Sequence, residues 1–148
     1  MAHDDETVLG LASVDGRKPR IAIVGGTPAS ALVATVLVEQ FGCLPVSAPT
    51  GEAVLALLHG EDPLDLVMID LPVPDMDGIV AVQLIRALGN RGELPVMALV
   101  GDDARIDTPR ARAAGFCATV KKPYSPRELY GALQTALSRP LAASTESA

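Results

Sequence analysis

Five short apolar runs, each closed by a turn and followed by a helix-start signal, constrain this chain more than any other feature. Arg20-Ile21-Ala22-Ile23-Val24 is β-rich and ends at Gly25-Gly26. Thr27-Pro28 supplies an N-cap and an N1 proline. The helix they open is predicted to run to about Phe41, stop at Gly42, and bury Leu32, Val33, Val36 and Leu37. Leu44 to Ala48 reads as a strand that Pro45 assigns to a sheet edge. Thr50 opens a second helix carrying Ala53, Val54, Leu57 and Leu58, with Gly60 as its stop. Leu64 to Asp70 is continuously apolar from Leu66 to Ile69, as expected of a strand covered on both faces.

The second half repeats the pattern. A helix over Ile79 to Leu88 is followed by Gly89, and Leu94 to Val100 forms another buried strand. Thr108-Pro109 caps a short helix ending at Gly115, which leaves 101–107 as a loop. Phe116 to Val120 is the fifth strand. Ser125-Pro126-Arg127-Glu128 is a capping box with proline at N1, and it launches a helix through Leu129, Ala132, Leu133, Ala136 and Leu137. Strands alternating with helices through short loops predict an α/β fold, a five-stranded parallel doubly wound sheet.

The remaining segments frame one domain over 20–138, with a flexible leader over 1–19 and a flexible tail over 139–148. A net charge of −6 argues against nucleic acid as a partner, which requires clustered positive charge. Aromatic residues are only 3% of the chain, so stacking platforms for bases or sugars are excluded and the core must be aliphatic. No apolar run approaches the ~20 residues of a membrane span. An acidic start at His3-Asp4-Asp5-Glu6 is unlike a secretory leader. Cys43 and Cys117 are too few for a disulfide framework, so a cytoplasmic location with reduced, partly buried thiols is expected. His3 and His59 have no ligand-spaced partner and are assigned no function.

In a doubly wound sheet the ligand crevice lies beyond the carboxyl ends of the strands, at the point where strand order reverses. The residues following the strands are Gly25-Gly26, Asp70, the run Val100-Gly101-Asp102-Asp103, and Lys121-Lys122-Pro123. Asp70 and Lys122 are the charged residues placed to converge. Asp70 closes an apolar run, where an unpaired carboxylate is costly and a nearby ammonium offsets part of that cost. A buried ion pair kept for conformational specificity would use the same two residues. Gly25-Gly26-Thr27-Pro28 fits neither nucleotide-loop pattern, so the glycines instead relax the loop or admit a second backbone. Asp75 and Asp77 are expected to form the turn and face the dipole of the helix beginning near Ile79. Lys121, Arg127, Arg110 and Arg112 form either a basic docking patch or an ordinary solvated face.

Asp70-Leu71-Pro72-Val73-Pro74-Asp75-Met76-Asp77-Gly78 resembles the D-x-x-x-P-x-x-D-G stretch of bacterial response-regulator receiver domains. Lys122-Pro123 resembles the Lys-Pro after the fifth strand of that family, Leu94 to Leu99 its fourth strand, and Ala113-Ala114-Gly115 the turn before its fifth. The likeness covers about residues 19–138 and implies the flavodoxin-like (βα)5 receiver fold. It also implies phosphoryl transfer from a kinase histidine to Asp70. The charge that develops in such a transfer is neutralised by a divalent cation and a lysine, here Mg²⁺ and Lys122.

The chain departs from the family where that chemistry is done. The acid-pair positions are Gly25 and Gly26, the hydroxyl position is Val100, and the aromatic switch position is Thr119. Asp70 and the Pro72 carbonyl are the only metal ligands left, with Asp102 or Asp103 as surrogate acids or a solvated loop pair. The expected protein is therefore a degenerate receiver, a pseudo-receiver that binds no cofactor and acts by docking rather than as an enzyme. Its partner is a histidine kinase or another signalling protein, met through the last two helices and the fifth strand. The alternative is a phosphorylatable receiver using Asp70, Lys122 and Mg²⁺. Single-domain action is expected, oligomeric state is unreadable, and restoring Gly25→Asp with Gly26→Asp is expected to create Mg²⁺ binding.

Overall fold

A computed structural model describes residues 17–60, 63–88, 93–101 and 108–138. The elements are β1 (Arg20–Gly25), α1 (Pro28–Gln40), β2 (Leu44–Ala48), α2 (Gly51–His59) and β3 (Leu66–Asp70). They continue with α3 (Gly78–Arg86), β4 (Val96–Val100), α4 (Thr108–Ala114), β5 (Ala118–Lys121) and α5 (Pro126–Ser138). All neighbouring strands are parallel, in the order β2-β1-β3-β4-β5. β2, with Pro45, is an edge strand as expected. The chain leaves β1 in opposite directions towards β2 and β3, so the reversal point and its crevice lie at the ends of β1 and β3.

The start signals act as the sequence predicts. Thr27 and Thr50 accept the N–H groups of Ser30 and Ala53, and Asp77 accepts that of Ile79. At Ser125 the reciprocal capping box closes, with Glu128 Oε1 accepting the Ser125 N–H at 2.8 Å and Ser125 Oγ the Glu128 N–H at 3.0 Å. Asp75 differs from expectation. Its carboxylate accepts the N–H groups of Gly51 and Glu52, so it caps α2 rather than the helix that follows it in sequence. The Gly51 N–H is the main reason that its carboxyl is held below the ordinary value.

Two aliphatic layers cover the sheet. Val54 and Leu58 of α2, Ala81, Val82 and Ile85 of α3, and Ala111 of α4 close over one face. On the other, Ala34 and Val38 of α1 and Leu129, Leu133 and Ala136 of α5 cover Ile21, Ile23, Leu66, Met68, Met97 and Leu99. Phe41 and Tyr130 meet edge to face with ring centroids 5.2 Å apart, joining the two helices. The predicted inner face of α1 is corrected here. Leu32, Val33 and Val36 are 62%, 52% and 42% exposed, and α1 instead buries its small Ala34 with Val38. Small side chains let a helix approach the sheet closely, and a helix that is apolar all round offers no stripe to favour one face.

Of the expected leader, Arg17 to Pro19 are described and tied to the fold. The Arg17 guanidinium donates to both Asp65 carboxylate oxygens at 2.9 and 3.2 Å, and the Pro19 carbonyl accepts the Leu44 N–H at 2.8 Å. The rest of the leader and the tail over 139–148 lie outside the described residues. Among the described residues no helix is long and apolar enough to cross a membrane.

Neither cysteine is in a disulfide; Cys43 is buried and Cys117 half-buried. Burial first, and the Asp65 carboxylate second, push the Cys43 thiol up from an ordinary 9.0 to about 11. Because the folded value is the higher one, the buried neutral thiol stabilises the fold below pH 9.0, and that contribution is lost as pH rises towards about 11. Cys43 is expected to resist a disulfide reagent at about pH 8 in the native protein and to react on unfolding. Rapid native labelling of Cys43, mapped by mass spectrometry, would contradict this.

Candidate functional site

Parallel pairing sets the site. Gly25 lies beside Asp70, Asp70 beside Leu99, and Val100 beside Lys121, so the carboxyl ends of β1, β3, β4 and β5 meet at one edge. The Lys122 N–H donates to the Val100 carbonyl at 2.8 Å, which brings the lysine back over β3.

Asp70 is fully buried, the one buried charged residue among those described. Both of its carboxylate oxygens are held from within the chain. Lys122 Nζ donates to Oδ1 at 2.5 Å and to the Leu71 carbonyl at 3.0 Å. Ser30 Oγ donates to Oδ2. Ser30 sits in the first turn of α1, its N–H bound by Thr27, so the positive end of that helix also faces the carboxylate. The predicted convergence of Asp70 and Lys122 is therefore present, and Ser30 joins it. Tyr124, two residues beyond Lys122, has its phenol pushed up, by burial first and by the negative charge of Asp70 second.

The glycines at the acid-pair positions have backbones that suit glycine alone. Gly25 has φ +74° and Gly26 has φ +78°, the left-handed region that side chains rarely adopt. A Cβ on Gly25 would lie 2.8 Å from the Asp70 carbonyl, and one on Gly26 would lie 2.4 Å from Asp70 Oδ2. The Gly26 N–H donates to the Pro72 carbonyl at 3.0 Å. Close approach of two backbones, one of the two roles open to these glycines from sequence, is what the loop uses.

This donor set does not fit Mg²⁺, which requires several oxygen ligands in near-octahedral array. Gly25 and Gly26 offer no side-chain oxygen, Pro72 accepts a hydrogen bond, and each Asp70 oxygen already has a donor. Among the described residues no group of three or more His, Cys, Asp or Glu could hold a metal ion. Asp102 and Asp103, the expected surrogate acids, lie outside the described residues.

The two remaining positions are partly buried. Val100 packs against the core layer of α2, α3 and α4 and presents no hydroxyl. Thr119 of β5, beside Ala98 of β4, lines a cavity of about 240 Å³ with Ala111, Arg112, Phe116 and Ala118. Exposed Arg112 and Arg127 of the expected basic patch face a common groove of about 460 Å³ between α4 and α5, floored by Cys117 and Ala118.

Ser30 was missed from sequence because a serine three residues after an N-cap is an ordinary first-turn residue. The available signal was topological. The first turn of the helix after β1 must lie over the crevice, so any hydroxyl there is within reach of the carboxylate ending β3.

Residues 21–134 match the family model described as response regulator receiver domain. The sensor protein GacS of Pseudomonas syringae pv. syringae is 30% identical over 119 residues, 78% of this chain; the chain spans 13% of that protein's length. A putative response regulator from Chloroflexus aurantiacus superposes with a TM-score of 0.77 at 22% identity, covering 83% of this chain and 100% of that one. The receiver domain of sensor histidine kinase PA1611 from Pseudomonas aeruginosa, with magnesium coordinated in its active-site cleft, gives a TM-score of 0.73 at 23% identity. That match covers 81% of this chain and 98% of the other.

Proposed function

Since this chain belongs to the response regulator receiver domain family of two-component signalling, we infer that it is a pseudo-receiver, acting by protein docking without Mg²⁺-dependent phosphorylation. The observation that carries the reading is the loop at Gly25 and Gly26. Its positive φ angles and its contacts with Asp70 leave no place for the acids that metal binding requires. Asp70, with both oxygens bound, then serves as a structural anion between β3, α1 and the loop after β5. The partner is a histidine kinase or another signalling protein, met in the cytoplasm.

Two surfaces suit docking. One is the face of α4, β5 and α5, where Arg112 and Arg127 flank a groove. The other, unforeseen from sequence, is the exposed apolar row Leu32, Val33 and Val36 on α1. Neither surface includes Asp70, so docking does not require chemistry at that residue.

A second reading, a receiver that accepts a phosphoryl group on Asp70, is favoured by the retained Asp70–Lys122 pair. The two part on one measurement. With Mg²⁺ and acetyl phosphate, the wild type is expected to show no phosphoryl adduct by intact mass. An adduct abolished by Asp70→Asn would establish the second reading.

A further inference from the structure

We propose that the chain's own amino-terminal segment Val8-Leu9-Gly10-Leu11-Ala12, which lies outside the described residues, covers the exposed apolar row of α1. Leu32, Val33 and Val36 form that row, and Glu39 is the one charged residue along the helix. A contiguous apolar patch of this kind marks a contact surface. Which occupant it takes follows from where the chain enters the fold.

The entry point lies beside the end of α1. Arg17 is tied to Asp65, and the Pro19 carbonyl accepts the Leu44 N–H, so both residues sit at the amino edge of the sheet. α1 returns to the same edge, where the Cys43 N–H donates to the Val38 carbonyl. Cys43 packs on the face covered by α1 and α5. Burial and Asp65 push its thiol up while the Lys18 charge opposes them, which brings Lys18 to that face as well. Val80 and Leu84, the exposed apolar pair of α3, are on a helix that covers the other face.

Reach and charge agree with this placement. Along α1, Val36 lies about 6 Å and Leu32 about 12 Å from Gln40, at 1.5 Å per residue. Extended chain spans about 17 Å from Arg17 back to Ala12 and about 13 Å more to Val8. The apolar segment can therefore run along α1 from Val36 towards Leu32. Continued in that direction, Asp4-Asp5-Glu6 comes to the amino end of α1, whose first turn holds no acidic residue. Negative charge is favourable at that end of a helix. The part played by this contact rests on the pseudo-receiver reading, in which α1 is a docking surface. There the segment competes with the partner for the row and so regulates docking.

The test uses the full chain with labelled leucine and valine methyl groups. Nuclear Overhauser contacts are expected from Val8, Leu9 and Leu11 to Leu32, Val33 and Val36, unchanged on dilution. Leu9→Asp/Leu11→Asp is expected to abolish them and to shift the α1 methyl signals, while the core Leu129 and Leu133 signals stay in place. Val33→Asp should lose the same contacts from the other side. Wild type without such contacts, and α1 methyl signals that do not move in Leu9→Asp/Leu11→Asp, would overturn the proposal. Contacts found only between differently labelled copies, and lost on dilution, would also overturn it, giving the row to a second copy of the chain. Either result with the wild type still inert to acetyl phosphate leaves the pseudo-receiver reading standing. An acetyl phosphate adduct on Asp70 with the contacts intact would overturn that reading and the regulatory role drawn from it, but not the placement of the segment.

Discussion

Replacing Lys122 by methionine is expected to destabilise the protein by about 3 kcal/mol, the lower end of the range for breaking a buried ion pair from one side. The reasoning starts from the burial of the two partners. The Asp70 side chain has no solvent exposure, while that of Lys122 retains 23%. Removing the ammonium strands a carboxylate that cannot recover its hydration, with the Ser30 hydroxyl and the start of α1 as its remaining support. The Leu71 carbonyl loses its lysine donor in the same step. Methionine replaces most of the aliphatic stem, so lost packing is a minor part of the effect. Urea unfolding monitored by circular dichroism measures it. The double variant Asp70→Asn/Lys122→Met should recover most of the loss, because the stranded charge has gone. A Lys122→Met variant within about 0.5 kcal/mol of wild type, the range of an ordinary surface substitution, would mean that the pair does not hold this end of the sheet together.

The second large effect is expected from Gly25→Asp with Gly26→Asp. Sequence reasoning alone expects this pair to recreate a Mg²⁺ site, and the structure reverses that expectation. Both residues occupy the left-handed region, which costs a side-chain-bearing residue about 1–2 kcal/mol per position. Steric contact adds to this. The new Cβ at position 25 would meet the backbone carbonyl of Asp70 at 2.8 Å, which no rotamer change relieves. The one at position 26 would meet Asp70 Oδ2, itself tethered by Ser30. Three carboxylates would then face one lysine. The double variant should lose at least about 3 kcal/mol, from summed backbone strain and overpacking. Millimolar Mg²⁺ should not raise its melting temperature. Gly26→Ala separates the contributions, since its loss of about 1–3 kcal/mol reflects backbone and Cβ without added charge. A folded double variant whose melting temperature climbs with Mg²⁺ would show that the loop yields easily.

Most of the fold was legible because several local signals agreed. The apolar run ending in Asp70, the caps at Thr27, Thr50 and Asp77, and the box at Ser125 each fixed one boundary that the parallel sheet then used. α1 was misjudged for a physical reason. Apolar residues surround it, so the choice of inner face was made by the close approach of Ala34 to the sheet rather than by hydrophobic pattern. Asp75 was assigned to the nearer helix because sequence shows only sequential neighbours, whereas its partners Gly51 and Glu52 are brought to it by the crossover. At the site, Asp70 and Lys122 were readable because charge at the end of a buried strand requires a partner. Ser30 was not, because a neutral hydroxyl carries no such demand. The meaning of Gly25 and Gly26 was half legible. Their missing oxygens are visible in sequence, but the backbone angles that make the absence hard to reverse are not.

The central claim, that Asp70 is held by the chain itself and takes no metal-assisted phosphoryl group, is tested most directly by one titration of the wild-type protein. Amide and side-chain spectra are recorded with millimolar Mg²⁺ and again after adding beryllofluoride. The account predicts that Gly26, Asp70, Leu71 and Lys122 keep their positions through both additions. Saturable shifts at these residues that require both Mg²⁺ and beryllofluoride, and that vanish in Asp70→Asn, would contradict it.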